Sequence, residues 1–513
     1  FFKQKTAYEI MPSLVGSEMC IRDRLSGTPP AGSAGNTYTF TVEVTDGVQT
    51  AQANLSITVV AAPPPLQITT TSLPDATEGV SYSATIEAAG GTTPYTWSVS
   101  GLPSGLSWLQ VGDSVQISGT PDAGTAGTYS VDVTVTDSSS PAQSENTTLQ
   151  LVVNSGGGTT WYVDGANGSD SNGGSSWSDA FATIGKALSE AVDGDTILVA
   201  DATYNETDLN FNGKKIHLKG VDHNNAGAQP VIDCGGSGRA FYFASGETSD
   251  SVIDNFTIRN GKVEDAGGGA ILCENNSSPT IRNCVFQNNE AADTNSSWDK
   301  ENGGAIYCTN SSSPAITDCA FRGNSATSNG GALFCDASSP SVTNCTFSDN
   351  NANEWGGAID CNHSSPSITN CTFSGNSATG SYSKGGAICC ENYSSPTLNN
   401  CVLWGNSAGS SGREIYINDV GSFCTLNYCC VDNTGYGGYV GNIIENNCIY
   451  SNPQFVDAAN GDYHLKDTSP CIDAGNDIYV PSSVTTDLDG NQRIVDGNND
   501  GNAVVDIGAY EKQ

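Results

Sequence analysis

A repeated unit between residues 268 and 406 constrains the fold of this chain more than any other feature of its sequence. The unit begins with Gly-Gly-Ala, an apolar residue, a variable residue and Cys, and about ten residues later continues with Asn/Asp-Cys-x-Phe-x-x-Asn. Its copies begin at Gly268, Gly303, Gly330, Gly356 and Gly385, with spacings of 35, 27, 26 and 29 residues. One coil of a parallel β-helix has about this length, so the unit predicts coils stacked along one axis.

Equivalent positions in successive coils form columns of like side chains. The cysteine columns are Cys273, Cys308, Cys335, Cys361, Cys390 and Cys284, Cys319, Cys345, Cys371, Cys401; the aromatic column is Phe286, Phe321, Phe347, Phe373. The asparagine columns are Asn283, Asp318, Asn344, Asn370, Asn400 and Asn289, Asn324, Asn350, Asn376, Asn406. Coils stack about 4.8 Å apart, so phenylalanines would form a core ladder and asparagines would hydrogen-bond along the stack.

The cysteines are best explained as small buried hydrophobic residues. The chain has no Cys-x-x-Cys pairs and no Cys/His clusters, which disfavours a structural zinc site. Side chains in register point alike rather than toward one another, so we expect free thiols in the two columns, and disulfide bridges between neighbouring coils remain the alternative.

A short amphipathic segment precedes the first strands of this region. Residues Ala180–Ala191 place Phe181, Ile184, Leu188 and Ala191 on one helical face. Thr196–Ala200 then begins a series of strands. We therefore predict a cap helix that covers the otherwise open first coil.

The N-terminal part repeats a different pattern. Ser-Gly-Thr-Pro begins at Ser26 and again at Ser118, a repeat of 92 residues, and the alternating runs TYTFTVEVTD and TYSVDVTVTD follow. This alternation is typical of half-buried antiparallel strands in Ig-like domains. Together with WSVSGLPSGL, the pattern resembles the He-PIG family of Ig-like domains. We assign the C-terminal half of one such domain to 25–62, a complete one to 66–153 and a linker to 154–160.

Further resemblances concern the repeats and the C-terminal residues. GGA[IL] paired with FxxN is similar to the repeat of chlamydial polymorphic outer-membrane proteins, which are β-helical surface adhesins. The ending CIDAGND…TDLDGNQRIVDG…VVDIGAYE resembles the closing segment of the "choice-of-anchor Q" group. Residues 161–511 as a whole resemble bacterial secreted right-handed β-helix proteins of pectin-lyase-like fold. We assign the β-helix with its cap helix to 161–475 and a closing segment to 476–513. The expected fold is all-β, with Ig-like β-sandwich modules followed by a right-handed single-stranded parallel β-helix.

Residues 1–24 differ from the rest of the chain. They hold both methionines, and KQKTAYEI and LVGSEMCIRD resemble translated sequencing adapter. We therefore leave them out of the fold predictions. A basic N-terminal arm or a degraded signal peptide is the alternative. On the adapter interpretation, the true start and any signal peptide are expected upstream.

The net charge of the chain argues against some classes of binding partner. Basic residues number 19 and acidic residues 55, giving a net charge of −36, which argues against a nucleic-acid partner. No apolar run is as long as a transmembrane helix needs. With the resemblances, this indicates an extracellular or cell-surface protein.

Catalytic signatures are missing from the repeat region. Galacturonan hydrolases of the pectin-lyase-like fold carry Asp-Asp and Gly-His-Gly, and neither occurs here. The basic residues among the repeats occupy different columns: Arg282, Lys300, Arg322 and Lys384. We therefore predict a non-catalytic adhesion or carbohydrate-binding protein whose partner is a polysaccharide, or a cell-surface glycan or protein. A polysaccharide lyase or glycoside hydrolase is the alternative.

Two groups of residues are candidate sites. If Ile and Cys of GGAIxC point inward, then Leu272, Tyr307 and Phe334 point outward and form an exposed row that suits sugar stacking or protein contact. The alternative is that loop Ala291–Asn302 covers the row.

The second candidate is a calcium site near the C-terminus. Asp496, Asn498 and Asp500 have the spacing of oxygen ligands that begins an EF-hand loop, with Asp506 following. A polar turn is the alternative.

Overall fold

The computed structural model describes residues 28–513, except 46, 62, 123–124, 155–157, 226, 295–300 and 499. The adapter-like stretch 1–24 and residues 155–157 of the predicted linker therefore lie outside the described residues. Within the described ranges the chain forms β-strands and a single α-helix, Ile184–Glu190. Short 3₁₀ turns cover Trp177–Asp179, Asn433–Gly435, Val440–Asn442, Ala458–Asn460 and Asp477–Tyr479.

The N-terminal part consists of a hairpin and a two-sheet sandwich. The hairpin pairs Thr37–Thr45 with Thr50–Thr58. The sandwich has a four-stranded sheet of Ala76–Thr77, Ser144–Asn154, Gly127–Thr136 and Thr96–Ser100, a three-stranded sheet of Tyr82–Ile86, Ser114–Gly119 and Leu106–Val111, and a small pair of Gln67–Ile68 with Ala88–Ala89. The alternation predicted for TYSVDVTVTD is confirmed, because Val131, Val133 and Val135 are buried in its core.

The remainder is a parallel β-helix with four sheets, numbered here in the order in which one coil visits them. Sheet I contains Thr160–Val163, Thr196–Ala200, His217–Val221, Val252–Asp254, Thr280–Arg282, Ala315–Thr317, Ser341–Thr343, Ser367–Thr369, Thr397–Asn399, Cys424–Asn427 and Ile443–Asn446. Sheet II contains Thr203–Tyr204, Val231–Asp233, Thr257–Arg259, Val285–Gln287, Ala320–Arg322, Thr346–Ser348, Thr372–Ser374, Val402–Leu403 and Cys430–Val431. Sheet III contains Lys262–Glu264, Glu290–Ala292, Ser325–Ala326, Asn351–Ala352, Ser377–Ala378 and Ser407–Ala408. Sheet IV contains Phe241–Phe243, Ile271–Cys273, Ile306–Cys308, Leu333–Asp336, Ile359–Asn362, Ile388–Glu391, Ile415–Ile417 and Tyr436–Gly438.

The core of the helix is made of the predicted columns. The rings of Phe286, Phe321, Phe347 and Phe373 stack nearly parallel, with centroid distances of 4.8, 4.7 and 4.7 Å. Both cysteine columns point inward and are buried. Each of the 17 described cysteines is a free thiol, as expected for the columns.

The two asparagine columns have different structural roles. Asn283, Asn344, Asn370 and Asn400 adopt left-handed backbone with φ between 51° and 56°, at the corner between sheets I and II. Asparagine tolerates this region better than most residues, because its short polar side chain bonds locally. The second column forms a buried ladder in which each amide donates to the carboxamide oxygen of the next coil, as between Asn324 and Asn350 at 2.9 Å.

The α-helix lies at the N-terminal end of the β-helix, and the C-terminal residues lie along one of its sides. The helix is shorter than the predicted segment Ala180–Ala191, and Phe181 lies before it in a β-bridge with Val163. Phe181, Ile184 and Leu188 are all buried in the core, and Thr183 caps the helix by accepting a hydrogen bond from the Lys186 backbone N–H. Residues 451–513 form two hairpins, Phe455–Asp457 with Asp462–Leu465 and Ile494–Val495 with Val504–Val505. This whole stretch, which begins before the predicted bound at residue 476, is called the closing segment from here on.

This closing segment packs on the outward face of sheet II. The Ala509 backbone N–H donates to Thr372 Oγ1 at 3.1 Å. Apolar side chains of the segment pack with Val402 and Cys430, which point outward from sheet II. As a result, Thr346 is only 1% exposed although it also points outward.

Candidate functional site

The outward column of sheet IV contains the predicted row. Strand register places Leu272 beside Tyr307 and Tyr307 beside Phe334. Ile306 and Cys308, on either side of Tyr307, are fully buried in the core, so the expected alternation holds. The same column continues through Asp360, Cys389 and Tyr416.

Only part of this row is accessible, which corrects the expectation of an exposed Leu-Tyr-Phe strip. Leu272 and Tyr307 are half-buried, whereas Phe334 is 3% exposed. The Tyr307 and Phe334 rings touch at a centroid distance of 5.2 Å. The Gly-Gly corner of the same coil passes close to Phe334: a Cβ on Gly330, which has φ +64°, would lie 3.0 Å from Phe334 Cβ. The corner therefore needs glycine and helps to bury the outward side chain.

In the next two coils the outward position of sheet IV is no longer aromatic. Asp360 and Cys389 are fully buried, and among the described residues neither Asp360 carboxyl oxygen has a hydrogen-bond partner. Burial, and then the charge of Glu391, raises the pKa of Asp360 well above its ordinary value. Burial of this kind favours the neutral form of the carboxyl group, because ionising it away from water is costly. Asp360 therefore belongs to the structure of the coil and does not reach a ligand.

A lysine between two aromatic rings lies at the far end of the row. The Lys384 ammonium is 4.7 Å from the centroid of the Tyr416 ring and 5.5 Å from that of Trp355. Trp355 and Lys384 occupy equivalent positions just before the Gly-Gly corners, where their backbones form a parallel bridge. Cation–π contacts of this kind hold both rings in place.

An acid lies close to this lysine. Burial raises the pKa of Glu391 to about 7, with a further contribution from the Asp419 charge, and Lys384 opposes the shift. Glu391 is on the outward side of its strand, two residues after Cys389. This end of the face thus combines aromatic surface, one cation and one carboxyl group that titrates near neutral pH.

Sequence reasoning missed Trp355, Lys384, Glu391 and Tyr416. Trp355 and Lys384 precede Gly356 and Gly385 directly, so aligning that column would have placed them side by side. Tyr416 stands in a coil whose GREIYI has lost the second glycine and the cysteine of the repeat. The row therefore appeared to end one coil too early.

The four residues of the predicted calcium site are not brought together. Asp496 and Asn498 share one turn with Asp500, whose backbone N–H donates to Asp496 Oδ1 at 3.0 Å and to Asn498 Oδ1 at 2.8 Å. Asp506 is buried away from solvent, and its two carboxyl oxygens accept from the backbone N–H groups of Asp473 and Lys512, both at 2.7 Å. A calcium ion on the turn would need other ligands than Asp506, and the site stays a prediction.

A cluster of three acidic residues lies near the first strands of sheet III. Asp265, Asp293 and Glu301 each offer one carboxylate oxygen, and these oxygens lie within 4.8 Å of one another. Among the described residues, this is the group whose geometry could hold a cation with oxygen ligands, such as calcium.

Two family models match the chain. The model described as "Right handed beta helix region" matches residues 235–386 and 305–478, and the model described as "Putative Ig domain" matches residues 64–154. The chain carries a right-handed β-helix and an Ig-like domain. These matches agree with the parallel sheets and the sandwich, so the expected fold class is confirmed.

Solved structures give weaker likenesses. Pectate lyase Pel9A is 16% identical with a TM-score of 0.34, covering 69% of this chain and 96% of that one. The complex of XylC with xylose is 11% identical with a TM-score of 0.25, covering 68% and 98%. The endo-fucoidan hydrolase MfFcnA4 of glycoside hydrolase family 107 is 20% identical with a TM-score of 0.18 over 27% of this chain, which spans only 23% of that protein's length. A comparison with curated proteins finds no match.

Proposed function

We propose that this chain is a non-catalytic, secreted or surface-displayed protein that binds carbohydrate on the outward face of its sheet IV, with the Ig-like part as a spacer. One observation carries the proposal. Partly exposed aromatic side chains lie on both sides of the buried part of one column, Tyr307 before it and Tyr416 with Lys384 after it. Aromatic rings with a polar edge suit the alternating apolar and hydroxyl faces of sugars. Among the described residues, no helix is long and apolar enough to cross a membrane.

Charge favours a neutral glycan. The chain has a net charge of −36, and Glu354 and Glu391 lie near Asp360 on this face. An acidic polymer would be repelled by this field. The charge of the Lys384 ammonium is too small to offset this field.

The test is a glycan array followed by titration calorimetry with the glycans that bind. Tyr307→Ala should weaken binding at least tenfold, because it removes the apolar ring surface on which a sugar would stack. Tyr382→Ala is the matched control, since Tyr382 is 86% exposed and lies outside the row. Unchanged affinity in Tyr307→Ala, or equal losses in both variants, would contradict the assignment to sheet IV.

A second candidate function has one observation in its favour. A carboxyl group with a pKa near 7, as in Glu391, suits general acid–base catalysis, which supports a polysaccharide lyase or glycoside hydrolase. The assay is release of reducing ends or unsaturated products from the same glycans. Product release by the wild type and its loss in Glu391→Gln would overturn the non-catalytic proposal.

A further inference from the structure

A cleft of about 650 Å³ lies between the turns that follow sheet II and the closing segment. Three successive coils contribute Asp349, Gly375 and Gly405, with φ of 55°, 73° and 80°. Residues 452–466 of the closing segment form the other wall. Its volume lies within the range of about 300–1,000 Å³ typical of small-molecule sites.

A tryptophan provides the apolar surface of this cleft. Trp404 follows the sheet II strand Val402–Leu403, and its backbone N–H donates to the Phe373 carbonyl oxygen at 3.0 Å. The side chain is partly buried and packs against the cluster that contains Val402 and Phe455. The indole is thus held by the core on one side while it lines the cleft on the other.

Polar groups of both kinds surround the indole. Asp349 supplies acceptors, and Lys466 supplies an ammonium that forms no ion pair with a described carboxylate. Gln454 Oε1 accepts from Thr468 Oγ1 at 2.6 Å, and Asn452 Oδ1 accepts from the Gln454 backbone N–H at 2.7 Å. Both carboxamide oxygens are engaged, so the polar groups that Asn452 and Gln454 can offer a ligand at the cleft wall are their amide NH₂ donors.

We propose that this cleft is a second carbohydrate site, which takes a short neutral oligosaccharide with one sugar ring stacked on Trp404. Sugar hydroxyls both donate and accept, so they need a wall that offers a carboxylate as well as N–H donors. The charges of Asp349 and Lys466 offset each other, which suits an uncharged ligand. The site shares no residue with the sheet IV face, so it does not depend on the function proposed there.

The experiment is titration calorimetry of the full chain with cellohexaose, xylohexaose and mannohexaose. At least one should bind, and Lys466→Ala should weaken its binding about tenfold or more, since hydrogen bonds to charged groups are strong. Lys466 is exposed, so this variant keeps its fold. Lys219→Ala, an exposed lysine of sheet I, is the matched control. Trp404→Ala should abolish binding, and Trp404→Phe should retain part of it because a ring remains.

The outcomes separate the two sites. Binding that is lost in Lys466→Ala and Trp404→Ala but kept in Tyr307→Ala supports the cleft even if the sheet IV proposal fails. Binding that is lost only in Tyr307→Ala refutes the cleft and leaves the sheet IV proposal intact. If none of the three sugars binds the wild type, the cleft proposal is overturned as well.

Discussion

The buried asparagine ladder gives the sharpest test of how this β-helix is held together. The Asn350 side chain makes four hydrogen bonds. Its Oδ1 accepts from the backbone N–H and the amide of Asn324 at 3.1 and 2.9 Å. Its Nδ2 donates to the Phe321 carbonyl oxygen and to Asn376 Oδ1 at 3.0 and 2.8 Å. All the polar atoms of this buried side chain are therefore paired.

Asn350→Ala removes all four bonds. At about 1 kcal/mol for each bond, the free energy of unfolding should fall by about 4 kcal/mol, and orphaned donors buried without water can only increase the loss. The two donors of Asn324 that pointed at Asn350 would have no acceptor, because the position is fully buried and distant from solvent.

The assay is equilibrium urea denaturation followed by circular dichroism, with the slope of the transition compared between variants. Asn353→Ala is the control, because Asn353 lies in the same coil but is exposed. It should change the free energy of unfolding by less than about 0.5 kcal/mol. A loss below about 1 kcal/mol in Asn350→Ala would mean that the ladder is a consequence of coil stacking and contributes little to its stability.

Three further predictions concern the core, the pH dependence and calcium. Phe347 lies between two phenylalanine rings with centroids at 4.7 Å, so Phe347→Ala should lower the free energy of unfolding by about 3–5 kcal/mol in urea denaturation. Thr346→Val should raise it by about 1 kcal/mol, because it removes a buried hydroxyl that has no described partner. A lower stability of Thr346→Val would contradict the burial of this hydroxyl. Burial raises the pKa of Glu414 to about 7 and that of Glu511 to about 8. Between about pH 5 and 8 the folded chain therefore keeps protons that the unfolded chain releases, so the melting temperature should fall as the pH rises. A melting temperature that rises over this range would refute the prediction. If the turn that begins at Asp496 binds calcium, excess calcium should raise the melting temperature of the wild type but not of Asp500→Ala, and identical curves with calcium and chelator would leave only a hydrogen-bonded turn.

The identity of the side chains inside the β-helix could be predicted from the repeat pattern alone. Neighbouring coils lie about one strand spacing apart, so each inward residue meets its own equivalent, and only side chains that stack on themselves can recur. Phe321, Phe347 and Phe373 were therefore predictable as a ladder. The same holds for the α-helix Ile184–Glu190, because the apolar spacing of Ile184 and Leu188 is a local property.

Which outward side chains are accessible to solvent depends on the tertiary structure and could not be predicted from the repeat pattern. Phe334 and Thr346 both point outward from their strands, yet both are buried, because Phe334 lies beside a Gly-Gly corner and Thr346 lies beneath the closing segment. The same folding brings Lys466 of the non-repeating C-terminal segment to the cleft that Trp404 lines, although the two residues are far apart in sequence. The physical reason is that a repeat specifies contacts between equivalent residues of adjacent coils. Contacts made by turns and by the non-repeating C-terminal segment depend on where the chain returns in space, and no local period encodes that.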